Sequence, residues 1–388
     1  MAIIKSLLDT DLYKFTMWQT ALNQFPTTSV RYEFKCRNKA VFSERMVNRI
    51  KEEIEHYCSL QLSSAEIGYL ESLGFFREGF LNFLSLYKPN SEHISVRHEN
   101  GQVEIEAEGP WFLTIPFEVP VLAIVNEVWF SESGYDIAGI RGGGEQRLAA
   151  KAALLGKYDS ADFTVADFGT RRRFSAEWQE YVINELKGLP VFAGTSNVDI
   201  AFRFGLKPIG TMAHEFLMVG QAQDDVPLAR FQQKMLQAWV DEYRGDLGIA
   251  LTDTVGIDAF LRDFDKYFAK LYDGLRHDSG DPLWWAGKVI DHYKKLKIDP
   301  SGKTLVFSDG LDPERAVSIY EKLKGQARIS FGIGTNLTND FPGLEPLNIV
   351  MKITEANGRP VAKISDSPGK GMCRDQAFLD YLRKVFLL

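Results

Sequence analysis

The chain has 388 residues, of which 45% are hydrophobic and 25% are charged, and its formal net charge is −7. This composition is ordinary for a globular protein, and the length allows two domains or one large barrel with an accessory layer. No basic field dominates, which excludes a general nucleic-acid-binding protein but leaves room for a local site that binds anions.

The cysteines and the N-terminus predict a cytoplasmic protein. Cys36, Cys58 and Cys373 are far apart and form no CxxC pair, which argues against a disulfide framework or a zinc site. The first residues, MAIIKSLLDTDLYKF, lack a long apolar core and do not look like a signal peptide. The longest apolar stretch, residues 111–130, contains two prolines and two glutamates. It is predicted to be a buried strand leading into a core helix, and no membrane contact is expected.

The first third of the chain mixes helical and strand patterns. Helices are predicted near residues 11–23, 44–56, 64–73 and 77–86, and a strand is predicted at SVRYEFKCR. Alternation around Asn100-Gly101 predicts a hairpin, and a second hairpin is predicted across Asn357-Gly358 in the tail. Because the tail should return to the first third, we predict a discontinuous α+β domain of residues 1–125 and 347–388.

From Phe163 onward, short apolar runs alternate with amphipathic helices. The runs are FTVADFG, VFAGTSN, KPIGTMA, GIALTDT, GLRHDSG, TLVFSDG and ISFGIGT. Two intervening helices begin with Asp-Pro, at Asp281 and Asp312, which combines an N-cap with a first-turn proline. This alternation is typical of an α/β fold with a parallel sheet, and seven units favour a TIM-like (β/α)-barrel, regular or irregular, over residues 126–346.

Polar residues recur at the carboxyl ends of the predicted strands, where such barrels place their active sites. In chain order they include Phe168, Arg171, Arg172, Arg173, Thr195, Ser196, His214, Asp253, Arg276, Asp278, Ser279, Asp309, Gly310, Gly332, Gly334 and Thr335. The turn GIGT predicts a phosphate site, because glycines let backbone N–H groups approach an anion. Of the three consecutive arginines, at least one is expected to point at an anion.

His214 is predicted to open a helix, where the helix dipole keeps an imidazole neutral. A neutral histidine beside phosphate-binding loops can accept a phosphoryl group, whereas the alternative is a histidine that only caps or packs. Asp278 is predicted to orient ribose hydroxyls or to steer Mg²⁺ on a diphosphate, whereas Asp281 has an obvious role as a helix cap.

Taken together, the motifs resemble those of the nicotinate phosphoribosyltransferase family. DTDLYKFTM, DFGTRRRFS, GTMAHE, GLRHDSGDP, VFSDGLD, SFGIGT and PVAKISDSPGK follow one another in the order typical of that family, between Leu7 and Gly371. The resemblance implies that nicotinate and phosphoribosyl pyrophosphate give nicotinate mononucleotide and pyrophosphate, coupled to hydrolysis of ATP, in NAD salvage. It also implies a homodimer with shared sites and Mg²⁺ that accompanies the diphosphate rather than a set of protein ligands.

The resemblance also assigns roles to individual residues. His214 matches the family's phosphorylated histidine and, with Asp278, is predicted to be catalytic. Phe168 matches the aromatic ring that stacks on the pyridine, and Tyr13 the aromatic residue given by the partner subunit. Further substrate-binding residues are predicted to be Arg171, Thr195, Ser196, Arg276, Ser279 and Lys352, and the phosphate cradle Asp309, Gly310, Gly332, Gly334 and Thr335.

Three other functions stay open at this point. A nicotinamide-preferring transferase would be closest, but Ser196 stands where nicotinamide-using relatives have an aspartate, which favours nicotinate. A quinolinate transferase on a related barrel would need a second carboxylate site and no phosphohistidine. A non-catalytic regulator would bind phosphate ligands without turnover.

Overall fold

The computed structural model describes residues 2–159, 161–366 and 373–388. Its strands are β1 Ser29–Cys36, β2 Ile94–Glu99, β3 Gln102–Pro110, β4 Phe163–Asp167, β5 Phe192–Thr195, β6 Ile249–Leu251, β7 Gly274–His277, β8 Thr304–Phe307, β9 Arg328–Ile333, β10 Ile349–Ala356 and β11 Arg359–Pro360. Its helices are α1 Leu12–Gln24, α2 Glu44–Ser59, α3 Ser64–Ser72, α4 Glu78–Leu86, α5 Trp111–Thr114, α6 Glu118–Glu132, α7 Ile137–Leu155, α8 Ala176–Leu186, α9 Val198–Phe204, α10 His214–Gly220, α11 Phe231–Tyr243, α12 Ile257–Asp263, α13 Lys266–Leu271, α14 Pro282–Lys295, α15 Pro313–Leu323, α16 Thr335–Thr338 and α17 Gln376–Phe386.

An antiparallel sheet joins the first third of the chain to its tail. Its strand order is β11-β10-β1-β3-β2, so that β1 pairs with the tail strand β10 on one side and with β3 on the other. Both predicted hairpins are confirmed, at Asn100-Gly101 and Asn357-Gly358. All four turn residues have positive φ, as a two-residue type I′ turn requires. The sheet agrees with a discontinuous domain, whose exact boundaries stay a prediction; residues 367–372 of the predicted tail segment lie outside the described residues.

A second, parallel sheet has the strand order β5-β4-β9-β8-β7-β6. It contains six of the seven predicted apolar runs and confirms the α/β class. The seventh, KPIGTMA, was expected to be a strand but forms a single bridge, between Thr195 and Pro208. Proline has no N–H to donate, and Gly210 has a φ of 150° that regular strands do not use. By strand pairing the sheet is therefore open between β5 and β6, and the predicted closed barrel is not confirmed.

The apolar stretch that begins at Trp111 is helical from its first residue, so the expected strand within it is wrong: β3 ends at Pro110. The segment Trp111–Glu132 is long and apolar enough to cross a membrane, with a mean hydropathy of 1.4 over its best window, yet 83% of that window is buried inside the protein. Such burial is typical of a core helix. It packs between α2 and the tail strand β10.

Candidate active site

A cavity of about 380 Å³ lies at the carboxyl ends of the parallel strands. Eleven of the fifteen predicted site residues line it: Phe168, Arg171, His214, Arg276, Asp278, Asp309, Gly310, Gly332, Gly334, Thr335 and Lys352. They come from four different strand ends, from the start of α10 and from β10, so residues far apart in the sequence meet in one place. This convergence is what parallel strands with their carboxyl ends at one edge produce.

The lining of this cavity is strongly cationic. Among the described residues it includes Arg37, Arg171, Arg172, Arg276, Lys352 and Lys363, against the carboxylates of Asp278 and Asp309. Burial, together with the nearby Lys363 and Arg37, lowers the pKa of Lys352 to about 8. Burial and the neighbouring Arg171 likewise lower the pKa of Arg172 to about 10. Cations held this close together have a strong tendency to attract an anion, because the anion relieves their mutual repulsion.

His214 is the first residue of α10, as predicted. Its Nε2 lies 2.7 Å from Oδ1 of Asp253, and Oδ2 of Asp253 lies 2.8 Å from Nζ of Lys363. Burial, reinforced by the charge of Lys363, lowers the pKa of His214. Although burial alone would raise it, His214 and Lys363 hold the pKa of Asp253 well below its usual range. A neutral imidazole therefore faces a buried, ionised carboxylate.

Asp278 lies near the same ring nitrogen, with Oδ2 at 3.7 Å from His214 Nε2. Its Oδ1 accepts a hydrogen bond of 2.8 Å from Ser308 Oγ, and the same Ser308 oxygen accepts a bond of 2.9 Å from Nε of Arg276. Burial opposes ionisation here, but Arg276 and Lys363 lower the pKa of Asp278 to about 2. Ser308 thus joins an arginine and a carboxylate that both face the cavity.

Phe168 packs closely against Gly332 of β9. A Cβ built on Gly332 would lie 2.2 Å from Cδ2 of Phe168, and one on Gly334 would lie 3.0 Å from the Phe168 carbonyl oxygen. The guanidinium of Arg276 is 6.0 Å from the centre of the Phe168 ring. The Phe168 ring therefore requires a glycine at position 332, and its carbonyl oxygen leaves little room for a side chain at position 334, in addition to any contact with an anion.

The three consecutive arginines have three different environments. Arg173 is buried, binds Asp9 through two hydrogen bonds of 2.6 and 2.8 Å, and contacts Glu127. Arg172 donates to the carbonyl of Ile349 and lines the cavity. The side chain of Arg171 is 46% exposed and lies 3.6 Å from a carboxylate oxygen of Glu118. Arg171 and Arg172 are thus the two that an anion can reach.

Four predicted site residues do not line the cavity in this chain. Thr195 donates to Asp167, Ser196 donates to Asp11, and Ser279 donates to Asp253. Tyr13 is 9% exposed, and its hydroxyl has no hydrogen-bond partner among the described residues. Their substrate roles stay predictions; within the chain, the hydroxyls of Thr195, Ser196 and Ser279 bind buried carboxylates rather than face the cavity.

The sequence places Asp253 and Arg172 at predicted strand ends but gives neither a specific role, and it does not point to Ser308, Lys363 or Arg37. Ser308 directly follows a predicted strand, so a stricter use of the strand-end rule would have included it. Lys363 and Arg37 come from the tail and the first third, and no spacing in the sequence points from either to the strand ends.

His214, Asp253 and Asp278 form the one group among the described residues that could hold a metal ion, with potential ligand atoms within 4.8 Å of one another. Lys363 Nζ is 2.8 Å from Asp253 and 3.9 Å from Asp278. An ammonium group therefore already pairs with Asp253 and lies close to Asp278. The carboxylate of Asp278, whose side chain is 23% exposed, is the group best placed to meet a hydrated cation brought in by a ligand.

Comparison with known proteins places the chain in one family. Residues 8–126 match the nicotinate phosphoribosyltransferase (NAPRTase) N-terminal domain, and residues 163–388 match the nicotinate phosphoribosyltransferase (NAPRTase) family. Nicotinate phosphoribosyltransferase from Cupriavidus necator is 51% identical over 99% of this chain and 98% of its own, and that from Ralstonia pickettii is 49% identical over 99% of each.

Solved structures agree with the sequence comparisons. The crystal structure of nicotinate phosphoribosyltransferase from Vibrio cholerae matches with a TM-score of 0.93 and 40% identity, over 100% of this chain and 94% of that one. The corresponding protein from Porphyromonas gingivalis matches with a TM-score of 0.93 and 33% identity over the whole of both chains. The chain thus belongs to the nicotinate phosphoribosyltransferase family of enzymes.

Proposed function

We propose that this protein is an ATP-dependent nicotinate phosphoribosyltransferase that acts in the salvage of nicotinate to NAD. The observation that carries the proposal is the cavity itself, in which an aromatic ring, Phe168, borders a cluster of six cationic side chains. An aromatic platform suits a pyridine ring, and the cations suit a phosphate and a diphosphate. Family membership supplies the identity of the two substrates.

In the proposed reaction, the pyridine nitrogen of nicotinate forms a bond to the anomeric carbon of the ribose as the bond from that carbon to the diphosphate oxygen breaks. The nitrogen uses its lone pair, so no proton needs to be removed. Positive charge develops on the sugar and negative charge on the leaving diphosphate. Arg172, Arg276 and Lys352, which line the cavity, would neutralise the leaving group, and Phe168 would hold the pyridine.

Mg²⁺ is proposed to arrive with the diphosphate. The residues fit this role, because Mg²⁺ prefers oxygen ligands and usually keeps one or two carboxylates besides phosphates and waters. Asp278 would hold the ion, since its carboxylate faces the cavity and is ionised at neutral pH. When bound, Mg²⁺ would stabilise negative charge on the leaving diphosphate.

The energy coupling is proposed to pass through His214. Because the ionised Asp253 accepts the proton on Nε2, the lone pair that can attack is on Nδ1. A bond from Nδ1 to the γ-phosphorus of ATP would form as the bond between that phosphorus and the bridging oxygen of the leaving ADP breaks. The ionised Asp253 would offset the positive charge that develops on the ring. Attack of water on that phosphorus would later release phosphate and restore the neutral imidazole.

We further propose a cytoplasmic homodimer with shared active sites and an irregular (β/α)-barrel. The barrel proposal rests on the segment between the open edges of the parallel sheet. Ile209 N donates to the Thr195 carbonyl of β5 at 2.8 Å, and Thr211 Oγ1 donates to the Ile249 carbonyl of β6 at 2.8 Å. One segment therefore forms hydrogen bonds to both edge strands, as an irregular seventh strand of a barrel would.

Steady-state assays of the purified protein test the function directly. With phosphoribosyl pyrophosphate and Mg²⁺, turnover is expected with nicotinate and should increase when ATP is added, whereas nicotinamide and quinolinate should be poor substrates. A preference for nicotinamide or quinolinate would select one of the related transferases. Binding of phosphoribosyl pyrophosphate without turnover of any of the three would identify a regulator instead.

The substitution Lys363→Met is expected to shift the acid limb of the pH profile for the rate of His214 phosphorylation to higher pH. Only the neutral ring attacks, so the rate falls as the pH drops through the pKa of His214, which burial and Lys363 hold below its ordinary 6.5. Removing the cation raises that pKa. Single-turnover transfer of label from γ-labelled ATP, measured between about pH 5 and pH 8 around the imidazole range, should reveal the shift.

Lys288→Met is a matched control, because Lys288 lies on α14 and pairs with Asp258 rather than with the site. Its pH profile should coincide with that of the wild type. An unchanged or downward-shifted limb in Lys363→Met would contradict the assigned influence of Lys363 on the imidazole.

Ser196→Asp is expected to destabilise the protein before it changes specificity. Ser196 is 3% exposed and donates to Asp11 at 2.7 Å, and burial already raises the pKa of Asp11. A second buried carboxylate there should cost about 3–5 kcal/mol of unfolding free energy in urea. In an Asp11→Asn background the loss should shrink, and the preference for nicotinamide over nicotinate should rise about tenfold, or about 1.4 kcal/mol. An unchanged preference in that folded double variant would exclude Ser196 as a specificity residue.

A further inference from the structure

Asp167 holds the turn that carries Phe168, although its own side chain does not line the cavity. It is the last residue of β4 and is fully buried. Its Oδ1 accepts a hydrogen bond of 2.9 Å from the backbone N–H of Gly169, the residue after Phe168. Its Oδ2 accepts bonds of 2.8 Å from Gln179 Nε2 and 2.7 Å from Thr195 Oγ1.

Each of these partners is a donor, so the carboxylate acts as an acceptor only. Gln179 and Thr195 are themselves fully buried and come from α8 and β5, so the turn is tied to a helix and to a neighbouring strand. The backbone carbonyl of Asp167 also accepts a bond of 2.8 Å from Ser196 N. A buried carboxylate with all its donors in place is stiff, because losing any one of them leaves a buried charged oxygen with fewer hydrogen bonds.

The far side of the turn is fixed as well. Phe168 N donates to the Ile333 carbonyl at 2.9 Å, and the carbonyl of Gly169 accepts a bond of 3.0 Å from Thr338 Oγ1. A Cβ on Gly169 would lie 2.2 Å from that same Thr338 oxygen. The backbone on both sides of Phe168 is therefore held in place. The position of this turn then determines where the Phe168 ring points.

We infer that Asp167, Gln179 and Thr195 form a carboxylate clamp that positions the Phe168 ring for the pyridine substrate, so that Thr195 acts on substrate binding through Asp167 and not by contact. This inference rests on the proposed function for the identity of the pyridine. It concerns positioning residues, because none of the three side chains lines the cavity.

The test compares Thr195→Val, which removes the hydroxyl at nearly constant volume, with Thr195→Ser, which keeps it. Thr164→Val is the control, since Thr164 lies on the same strand as Asp167 but bonds Ser330. Thr195→Val removes the bond to Asp167 together with the bond that the hydroxyl accepts from Asn197 N. Loss of the Asp167 bond should raise the KM for nicotinate about fivefold and leave that for phosphoribosyl pyrophosphate within about twofold. Thr195→Ser and Thr164→Val should behave like the wild type.

Hydrogen exchange in the ligand-free protein gives a readout that does not depend on function. The backbone amides of residues 168–170 should exchange faster in Thr195→Val and in Asp167→Asn than in the wild type, Thr195→Ser or Thr164→Val. Unchanged exchange there, equal increases in both KM values, or a Thr195→Ser variant as impaired as Thr195→Val would overturn the clamp. A wild-type protein inactive on nicotinate would instead refute the proposed function, while the exchange data would still decide on the clamp.

Discussion

His214→Ala is expected to abolish ATP-dependent phosphorylation of the protein and to leave it folded. The imidazole is the attacking group in the proposed coupling step, so no other side chain should replace it. Folding should survive, because the side chain of His214 is 17% exposed and Asp253 keeps its bonds to Lys363 and Ser279. Labelling with γ-labelled ATP, followed by the acid-labile and base-stable test for phosphohistidine, measures the result.

Two other histidines give the controls for this experiment. His56 is exposed on α2, so His56→Ala should be labelled like the wild type. His277 is 2% exposed and packs against Trp285 and Phe307, which makes it a poor phosphoryl acceptor, and His277→Asn should retain the label. Phosphate that persists in His214→Ala but disappears in His277→Asn would move the nucleophile to His277.

Much of the site follows from local sequence rules, because those rules act on neighbouring residues. The Asn-Gly pairs predict tight turns, and the Asp-Pro pairs at Asp281 and Asp312 do cap α14 and α15. Since parallel strands bring their carboxyl ends to one edge, the strand-end rule then collects most of the cavity lining.

The remainder depends on register and on distant segments. Thr195 and Asp167 are paired across β5 and β4 next to an irregularity at Val165-Ala166, and that register turns the Thr195 hydroxyl toward Asp167. Such a shift has no signature in the sequence. Lys363 meets Asp253 across a separation of 110 residues in sequence, and only the folded tail brings them together.

The second large expected effect concerns Tyr13 and rests on the proposed dimer. Tyr13→Leu and Asp278→Asn should each be nearly inactive alone, because each site would lack either the partner's aromatic ring or its own carboxylate. Leucine is preferred to alanine at Tyr13, since a truncation at this 9% exposed position would cost about 3–5 kcal/mol through the cavity left behind.

Mixing subunits separates a shared site from a site within one chain. When Tyr13→Leu and Asp278→Asn subunits are combined in equal amounts, about half of the dimers are mixed by symmetric assortment, and each has one intact site of two if Tyr13 acts across the interface. Activity should then recover to about a quarter of the wild-type value. If Tyr13 serves its own chain, no dimer has an intact site and activity stays near zero.

The reciprocal mixture makes the opposite prediction, and a tag on one subunit establishes that the subunits have exchanged. Wild-type chains combined with chains carrying both Tyr13→Leu and Asp278→Asn should retain about a quarter of full activity if the site is shared, because the mixed dimers have no intact site. If the site lies within one chain, each mixed dimer keeps one working site and about half of full activity remains. The tag on one subunit also quantifies the mixed dimers. Recovery of activity in the first mixture, together with a quarter of full activity in the second, supports the shared site. No recovery in the first mixture, together with half of full activity in the second, places Tyr13 in its own subunit's site.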